Sequence, residues 1–285
     1  MDFSATVTIG RQGFYVTADE LCEALAAHGR PDARATADRL CSESDGFVEP
    51  LLRFLGAEVT DSIDHSDFES ATFTHDMNAP IGDEFKQRYS TVIDGGTLEH
   101  VFNFPTAIRN CMEMVRVGGH YLSITPANNF FGHGFYQFSP ELYFRVLSAD
   151  NGFKVESMLA FEEIENPVWW QVSDPAEIGE RVTLLNDRPV FLLIVARRVE
   201  EKPIFARTPQ QSDYVVRWAP DEASPQPAAA TAAPRPLGIR IAKLLLPADV
   251  RTAMRKALSR PPQPEVGFSP RFFRPMASPP RRADP

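Results

Sequence analysis

Three acidic residues each follow a short apolar segment in the first half of the chain: Asp64, Asp76 and Asp94. If these segments are parallel strands of one sheet, their carboxyl ends share the edge where open α/β sheets bind ligands. A carboxylate accepts directional hydrogen bonds, so Asp64 and Asp76 suit hydroxyl and amine groups of a ligand. The alternative interpretation is that each aspartate caps the turn after its strand.

The residues after Asp94 extend this pattern. Gly95 would let a ligand approach the backbone closely, and Thr97 would line the same crevice, although both residues also suit a tight strand-to-helix turn. His100 begins the next predicted helix and could act as a general base near neutral pH. The alternative is that Glu99 and His100 only cap and charge the first helical turn.

A loop rich in aromatic rings, amides and glycines follows the fifth predicted strand, at residues 128–138. Stacking rings beside hydrogen-bonding groups suit a small polar ligand. Asn128, Asn129 and Tyr136 are therefore candidate substrate contacts, and His133 is a second candidate catalytic residue. A buried connection packed by its own aromatic rings explains the composition equally well.

The predicted elements place these residues at one edge of a sheet. Residues 89–126 predict a strand, a helix and a second strand, with Gly118 and Gly119 forming the turn before the second strand. Upstream, apolar positions in residues 47–55 lie on one helical face, and strands are expected at 58–63 and 71–74. A helix at 140–147 and strands at 153–161 and 190–196 complete the prediction.

Six segments, taken in order, resemble the class I S-adenosylmethionine-dependent methyltransferases. They are LGAEVT at 55–60, SIDHS at 62–66, HDMN at 75–78, VIDG at 92–95, LEH at 98–100 and VRVGG at 115–119. The resemblance covers residues 36–200. It implies an α/β, Rossmann-like fold: a mostly parallel seven-strand sheet with helices on both faces.

The resemblance also implies roles for individual residues. Asp64 would bind the ribose hydroxyls of S-adenosylmethionine and Asp76 the adenine amine, with His65 and Met77 beside them. Asp94, Gly95 and Thr97 would line the same pocket. The family's first strand and glycine-rich loop would correspond to residues 37–46, which makes Asp45 and Gly46 further cofactor contacts.

Four regions are expected along the chain. Residues 1–35 form an N-terminal helical extension, with a helix at 18–28 capped by Thr17, and residues 36–218 form the methyltransferase domain. A Pro/Ala-rich linker spans residues 219–236. Residues 237–285 form a basic tail, with a partly helical segment up to 258 and disorder from 259. That segment either contacts anionic lipid or an acidic partner, or folds back on the acidic body.

Composition narrows the class of protein. The net charge is −9, yet residues 235–285 carry 11 Lys+Arg against 3 Asp+Glu, so the remaining body is strongly acidic. An acidic body argues against nucleic acid as a partner. The three cysteines form no CxxC pair and suit reduced thiols. Without a signal peptide or an apolar run long enough to span a bilayer, a cytoplasmic protein is expected.

The expected function is transfer of a methyl group from S-adenosylmethionine to oxygen or nitrogen of a small-molecule or carbohydrate-like (glycan) acceptor. Two alternatives stay open. A non-catalytic relative would keep the fold as a binding or scaffold protein. A metal-dependent hydrolase would need His100, His120 and His133 to converge with Asp94, although none has HxH or HExxH spacing. No metal ligand is therefore assigned.

Overall fold

The computed structural model describes residues 1–164, 167–218 and 266–276. Its helices are α1 (Ala18–Ala27), α2 (Ala33–Glu43), α3 (Glu49–Phe54), α4 (Phe104–Met114), α5 (Pro140–Val146), α6 (Pro175–Ile178) and α7 (Ser212–Trp218). Its strands are β1 (Ala5–Ile9), β2 (Val59–Asp64), β3 (Phe73–Thr74), β4 (Tyr89–Asp94), β5 (Val115–Asn128), β6 (Phe153–Glu162), β7 (Trp170–Val172), β8 (Val190–Arg198) and β9 (Phe273–Pro275). No helix among these residues is long and apolar enough to cross a membrane.

The strands form one sheet in the order β3-β2-β1-β4-β5-β8-β6-β7-β9. The first five of these are parallel neighbours, in the 3-2-1-4-5 order of a Rossmann-like doubly wound sheet. Successive strands are added on one side of β1 up to β3 and on its other side from β4 onward. The carboxyl ends of β1 and β4 therefore flank a topological switch point. This confirms the α/β, Rossmann-like fold and locates the edge where such sheets bind ligands.

The second half of the sheet departs from the expected seven mostly parallel strands. β8 runs antiparallel to both β5 and β6, and the short strands β7 and β9 extend the far edge to nine strands. β8 alternates buried residues with more exposed ones, and it pairs at eight positions with β5 and at nine with β6. The sheet is therefore parallel on the side of the switch point and antiparallel beyond β5.

The sequence predicted that residues 1–35 form a peripheral extension, but the structure places part of this segment in the sheet. They supply β1, which pairs with β2 on one side and β4 on the other at the centre of the sheet. Helices α1, α2 and α3 then lie between β1 and β2 in the chain, and α1 and α2 bury a small apolar cluster of their own. The domain therefore begins at β1, and the stretch 37–46 taken for its first strand and loop is mostly helix α2.

Two capping predictions are confirmed, whereas the predicted Gly-Gly turn is not. Helix α1 begins with the expected capping box, in which Thr17 and Glu20 bond reciprocally, and Ser139 caps α5. Gly118 and Gly119 form a bulge inside β5 rather than a turn before it. A Cβ at Gly119 would lie 2.7 Å from the carbonyl oxygen of Ser90, so only glycine fits this crossing with β4.

Residues 266–276 are ordered, contrary to the expected disorder from residue 259. β9 pairs with β7, and Phe268 stacks on Trp170 with ring centroids 5.0 Å apart. Phe272 and Phe273 are buried in the main core, and burying aromatic rings offsets the entropy of ordering the segment. The predicted linker at 219–236 and the predicted basic helix at 237–258 lie outside the described residues.

Candidate functional site

A cleft of about 300 Å³ opens at the switch point, and we call it the switch-point cleft. Its walls come from the segments that follow β1, β2, β3 and β4. They comprise Ile9, Gly10, Ile63, Asp64, His65, His75, Asp76, Met77, Asn78, Thr97, His100 and Val101. Larger cavities of about 650 and 560 Å³ lie around α5 and α6, away from the carboxyl ends of the parallel strands. The switch-point cleft is the better candidate because it lies at the edge where open α/β sheets bind ligands.

Asp64, at the end of β2, has a carboxylate that is largely free. Its Oδ1 accepts a 3.4 Å bond from the backbone N–H of Ser66, and no described residue donates to Oδ2. That Oδ2 faces Gly10, since a Cβ built on Gly10 would lie 3.9 Å from it. The predicted placement of Asp64 in the pocket agrees with this geometry.

Asp76 combines the two roles that the sequence left open. Its Oδ1 accepts bonds of 2.9 and 2.8 Å from the backbone and side chain of Asn78, which lower the pKa of Asp76. No described residue donates to Oδ2, and the side chain is half-exposed. One oxygen therefore caps the turn after β3, and the other remains available. His65 lies 3.9 Å from Oδ1.

Gly10 supplies the close backbone approach that the sequence had assigned to residues 37–46. Its φ is +71°, and a Cβ there would lie 3.0 Å from Thr97 Oγ1. The Thr97 hydroxyl in turn donates a 2.8 Å bond to the carbonyl of Ile9. The loop after β1, Gly10-Arg11-Gln12-Gly13, is therefore the first loop of the site.

Replacing Gly10 with alanine should reduce both stability and ligand binding in the cleft. The matched control is Gly29→Ala, because Gly29 has φ +74° but nothing within 4 Å of a Cβ. Both variants should lose about 1 kcal/mol of stability from backbone strain, measured by urea unfolding. Only Gly10→Ala should also weaken ligand binding. Equal binding by the two variants would remove Gly10 from the site.

Asp45 and Gly46 do not line the cleft. They form the turn between α2 and α3, both with positive φ. Gly46 accepts a 2.8 Å bond from the backbone of Phe14, and Phe47 pairs with Gly13. The turn at 45–47 therefore contacts residues 13–14 at the end of the first loop. Asp45 and Gly46 were predicted as direct cofactor contacts, and their position outside the cleft corrects that prediction.

Asp94 and Gly95 were predicted to line the cofactor pocket, but neither lines the switch-point cleft. Asp94 is fully buried and accepts four bonds, from the backbones of Thr97 and Leu98 and from the hydroxyls of Ser123 and Tyr121. Burial raises the pKa of Asp94, and these bonds oppose that rise only in part. A Cβ at Gly95 would lie 2.1 Å from Gln12 Oε1.

The side chains predicted to contact substrate at and after the end of β5 hydrogen-bond to other groups of the protein. The amide of Asn128 bonds to Asn186, and that of Asn129 bonds to Asn186 and to the carbonyl of Arg188. The Tyr136 hydroxyl donates a 2.6 Å bond to the carbonyl of Phe102. These three side chains hold the loop at 128–138 in place through hydrogen bonds. The loop is not the buried aromatic connection considered as the alternative, because Phe131 and Phe135 are exposed.

The same loop brings His133 beside Glu99 and His100. The His133 Nε2 atom lies 3.5 Å from Glu99 Oε1, and the rings of His100 and His133 have centroids 4.9 Å apart. Glu99 and His100 belong to a short 3-10 turn, Leu98–His100, rather than to the following helix. His120 is elsewhere, 3.2 Å from Glu156, so the predicted group of three histidines with Asp94 does not form.

The environment of these groups changes their acid–base behaviour. Burial and the nearby Asp94 raise the pKa of Glu99 to about 7. Burial, and secondly the charge of His133, lower the pKa of His100. Glu99 was missed as a site residue from the sequence because it reads as a residue that charges the start of a helix.

No family model matches the chain, and no curated protein matches it. Among solved structures, an S-adenosylmethionine-dependent methyltransferase from Mesorhizobium loti matches at 15% identity, over 70% of this chain and 94% of that chain, with a TM-score of 0.37. A provisionally assigned S-adenosylmethionine-dependent methyltransferase from Listeria monocytogenes matches at 16% identity, over 70% of this chain and 94% of that chain, with a TM-score of 0.38. The 1,6-didemethyltoxoflavin-N1-methyltransferase of Burkholderia thailandensis was solved with S-adenosylhomocysteine. It matches at 12% identity, over 69% of this chain and 72% of that chain, with a TM-score of 0.34.

At these identities and TM-scores the likenesses do not bear on the reaction. The strand order of this chain itself identifies the Rossmann-like fold.

Proposed function

We propose that this protein is an S-adenosylmethionine-dependent methyltransferase whose cofactor binds in the switch-point cleft. The observation that supports this most is the pair of carboxylates with free oxygens, Asp64 and Asp76, at neighbouring strand ends around one cleft. In the proposed complex Asp64 accepts bonds from the ribose hydroxyls and Asp76 from the adenine amine. Apolar side chains of Ile63, Met77 and Val101 line the space between them.

The remaining part of the cleft is proposed to orient the reacting atoms. Methyl transfer depends mainly on aligning an acceptor lone pair with the methyl group, so positioning contributes most of the rate. His100 lies in the cleft wall, and His133 lies beside it. We propose that these two residues face the acceptor and help to activate it, with oxygen or nitrogen of a small molecule or glycan receiving the methyl group.

The proposal is tested by calorimetric titration of the pure, full-length protein with S-adenosylmethionine and S-adenosylhomocysteine. Both should bind at one site per chain. NAD⁺ is the matched control ligand, since Rossmann-like sheets also hold its ribose through a carboxylate after β2. Lack of binding at millimolar S-adenosylmethionine, or tighter binding of NAD⁺, would overturn the proposal.

One observation favours the non-catalytic alternative. The Gln12 side chain lies beside Gly95 and donates a 2.7 Å bond to the carbonyl of Ile9, which narrows the space between the ends of β1 and β4. If Gln12 stays there, the cleft admits a nucleoside but not the methionine part of the cofactor. The comparison of adenosine with S-adenosylmethionine separates the readings: equal affinities favour a binding module, and a clear preference for S-adenosylmethionine favours the enzyme.

A further inference from the structure

We infer that Glu99, His100 and His133 form a binding site for a divalent transition-metal ion. Each side chain offers one ligand atom, and these atoms all lie within 4.8 Å of one another. Two imidazoles and a carboxylate are a common ligand set for zinc and for non-haem iron. Of the described residues, no other group of three or more His, Cys, Asp or Glu has this geometry.

The carboxylate of Glu99 is the strongest part of the argument. The side chain is 1% exposed, and its Oε2 has no hydrogen-bond partner among the described residues. A buried carboxylate oxygen without a partner is costly, and such groups are normally paired or bound to a metal. An ion at this position would supply the missing partner.

An ion pair between Glu99 and His133 explains less of the arrangement. It would account for the 3.5 Å approach of His133 Nε2 to Glu99 Oε1, but not for the free Oε2. It also gives no reason for a second imidazole, His100, to stand 4.9 Å from the first, because two protonated imidazoles repel each other. A cation held by two neutral imidazoles and one carboxylate explains all three side chains.

The backbone holds these residues together without any ligand. Phe135 donates a 2.8 Å bond to the carbonyl of Glu99, which ties the loop carrying His133 to the 3-10 turn. Gly134 permits this approach, since a Cβ there would lie 2.9 Å from the Glu99 carbonyl oxygen and 3.2 Å from His100 Nδ1. The backbone of the site is therefore preorganised by the fold and does not depend on the proposed cofactor.

The spacing fits a metal ion after small side-chain rotations. Ligand atoms about 2.1 Å from a tetrahedral ion stand about 3.4 Å apart, close to the Glu99–His133 distance of 3.5 Å. His100 and His133 are exposed and can rotate to close the remaining gap. Three protein ligands leave at least one position for water or for an oxygen or nitrogen of another ligand. Since His100 also lines the switch-point cleft, that position lies beside it.

The test is calorimetric titration of tag-free, EDTA-treated full-length protein with ZnCl₂ at pH 7.5. The wild-type protein should bind one ion per chain. His133→Ala and His100→Ala should each weaken binding by at least about tenfold, because each removes a ligand. The matched control is His28→Ala at the C-cap of α1, which should bind as the wild type does. His100 and His133 are exposed, so these variants should remain folded.

Glu99→Gln gives an independent test, because the amide keeps the shape but lacks the charge. It should also weaken binding by at least about tenfold. Absence of a one-to-one site, or equal affinity of His133→Ala and His28→Ala, would overturn the inference and leave only adventitious surface binding. Titration of the same samples with S-adenosylmethionine distinguishes the two claims. Zinc binding without cofactor binding would overturn the proposed function but not the metal site.

Discussion

Replacing Asp64 with asparagine should weaken S-adenosylmethionine binding by about 10- to 100-fold. The carboxylate has one oxygen with no described donor and the other with a single long bond, so the ribose hydroxyls would be its main partners. Losing hydrogen bonds to a charged acceptor costs about 1.5 to 3 kcal/mol, which corresponds to that range. The measurement is calorimetric titration of the variant with S-adenosylhomocysteine, which binds without turnover.

The matched control is Asp67→Asn. Asp67 is an exposed acid on the same loop, three residues further along, and it does not line the cleft. Replacing Asp67 should leave the affinity for S-adenosylhomocysteine unchanged. The variant therefore measures any general effect of removing one negative charge near the cleft. If Asp64→Asn binds as tightly as Asp67→Asn, the ribose does not lie against β2 and the proposed orientation of the cofactor is wrong.

Replacing Asp94 with alanine should cause the largest loss of stability of any single change in the site region. The variant leaves four donors without an acceptor: the part-buried N–H group of Thr97 and three buried donors, the N–H group of Leu98 and the hydroxyls of Ser123 and Tyr121. Each buried unsatisfied donor costs about 1 kcal/mol or more, so a total loss of about 3 to 5 kcal/mol is expected. Urea unfolding followed by circular dichroism measures it.

Asp187→Ala is the control for this change, since Asp187 is exposed and should alter stability by less than about 0.5 kcal/mol. Asp94→Asn keeps one acceptor oxygen and should fall between the two, which provides a measurable variant if Asp94→Ala does not fold. Equal unfolding midpoints for Asp94→Ala and Asp187→Ala would contradict the role of Asp94 as the buried acceptor that fixes the loop after β4.

The sequence predicted β2, β4, β6 and β8 because each combines an apolar run with a clear polar or glycine end. It missed β1 because that five-residue strand alternates threonine with valine and isoleucine, and a local pattern does not indicate that Thr6 and Thr8 are buried at the sheet centre. Three helices then separate β1 from β2. β9 was missed because it depends on pairing with β7, far away in the chain.

The site was predicted in part for similar reasons. Strand-end position identified Asp64 and Asp76, but it could not distinguish them from Asp94, which turns inward to four donors. His100 and His133 were each identified by residue type. Their meeting with Glu99 depends on the loop folding back through Gly134, a contact that spacing in the sequence does not contain.

The most direct test of the central claim is a crystal structure of the protein with S-adenosylhomocysteine bound. The account predicts ligand density in the switch-point cleft, with the ribose hydroxyls within about 3 Å of Asp64 and the adenine amine beside Asp76. Gln12 should have moved away from Gly95 to admit the homocysteine part. Density elsewhere on the molecule, or an empty cleft at saturating ligand, would contradict the account.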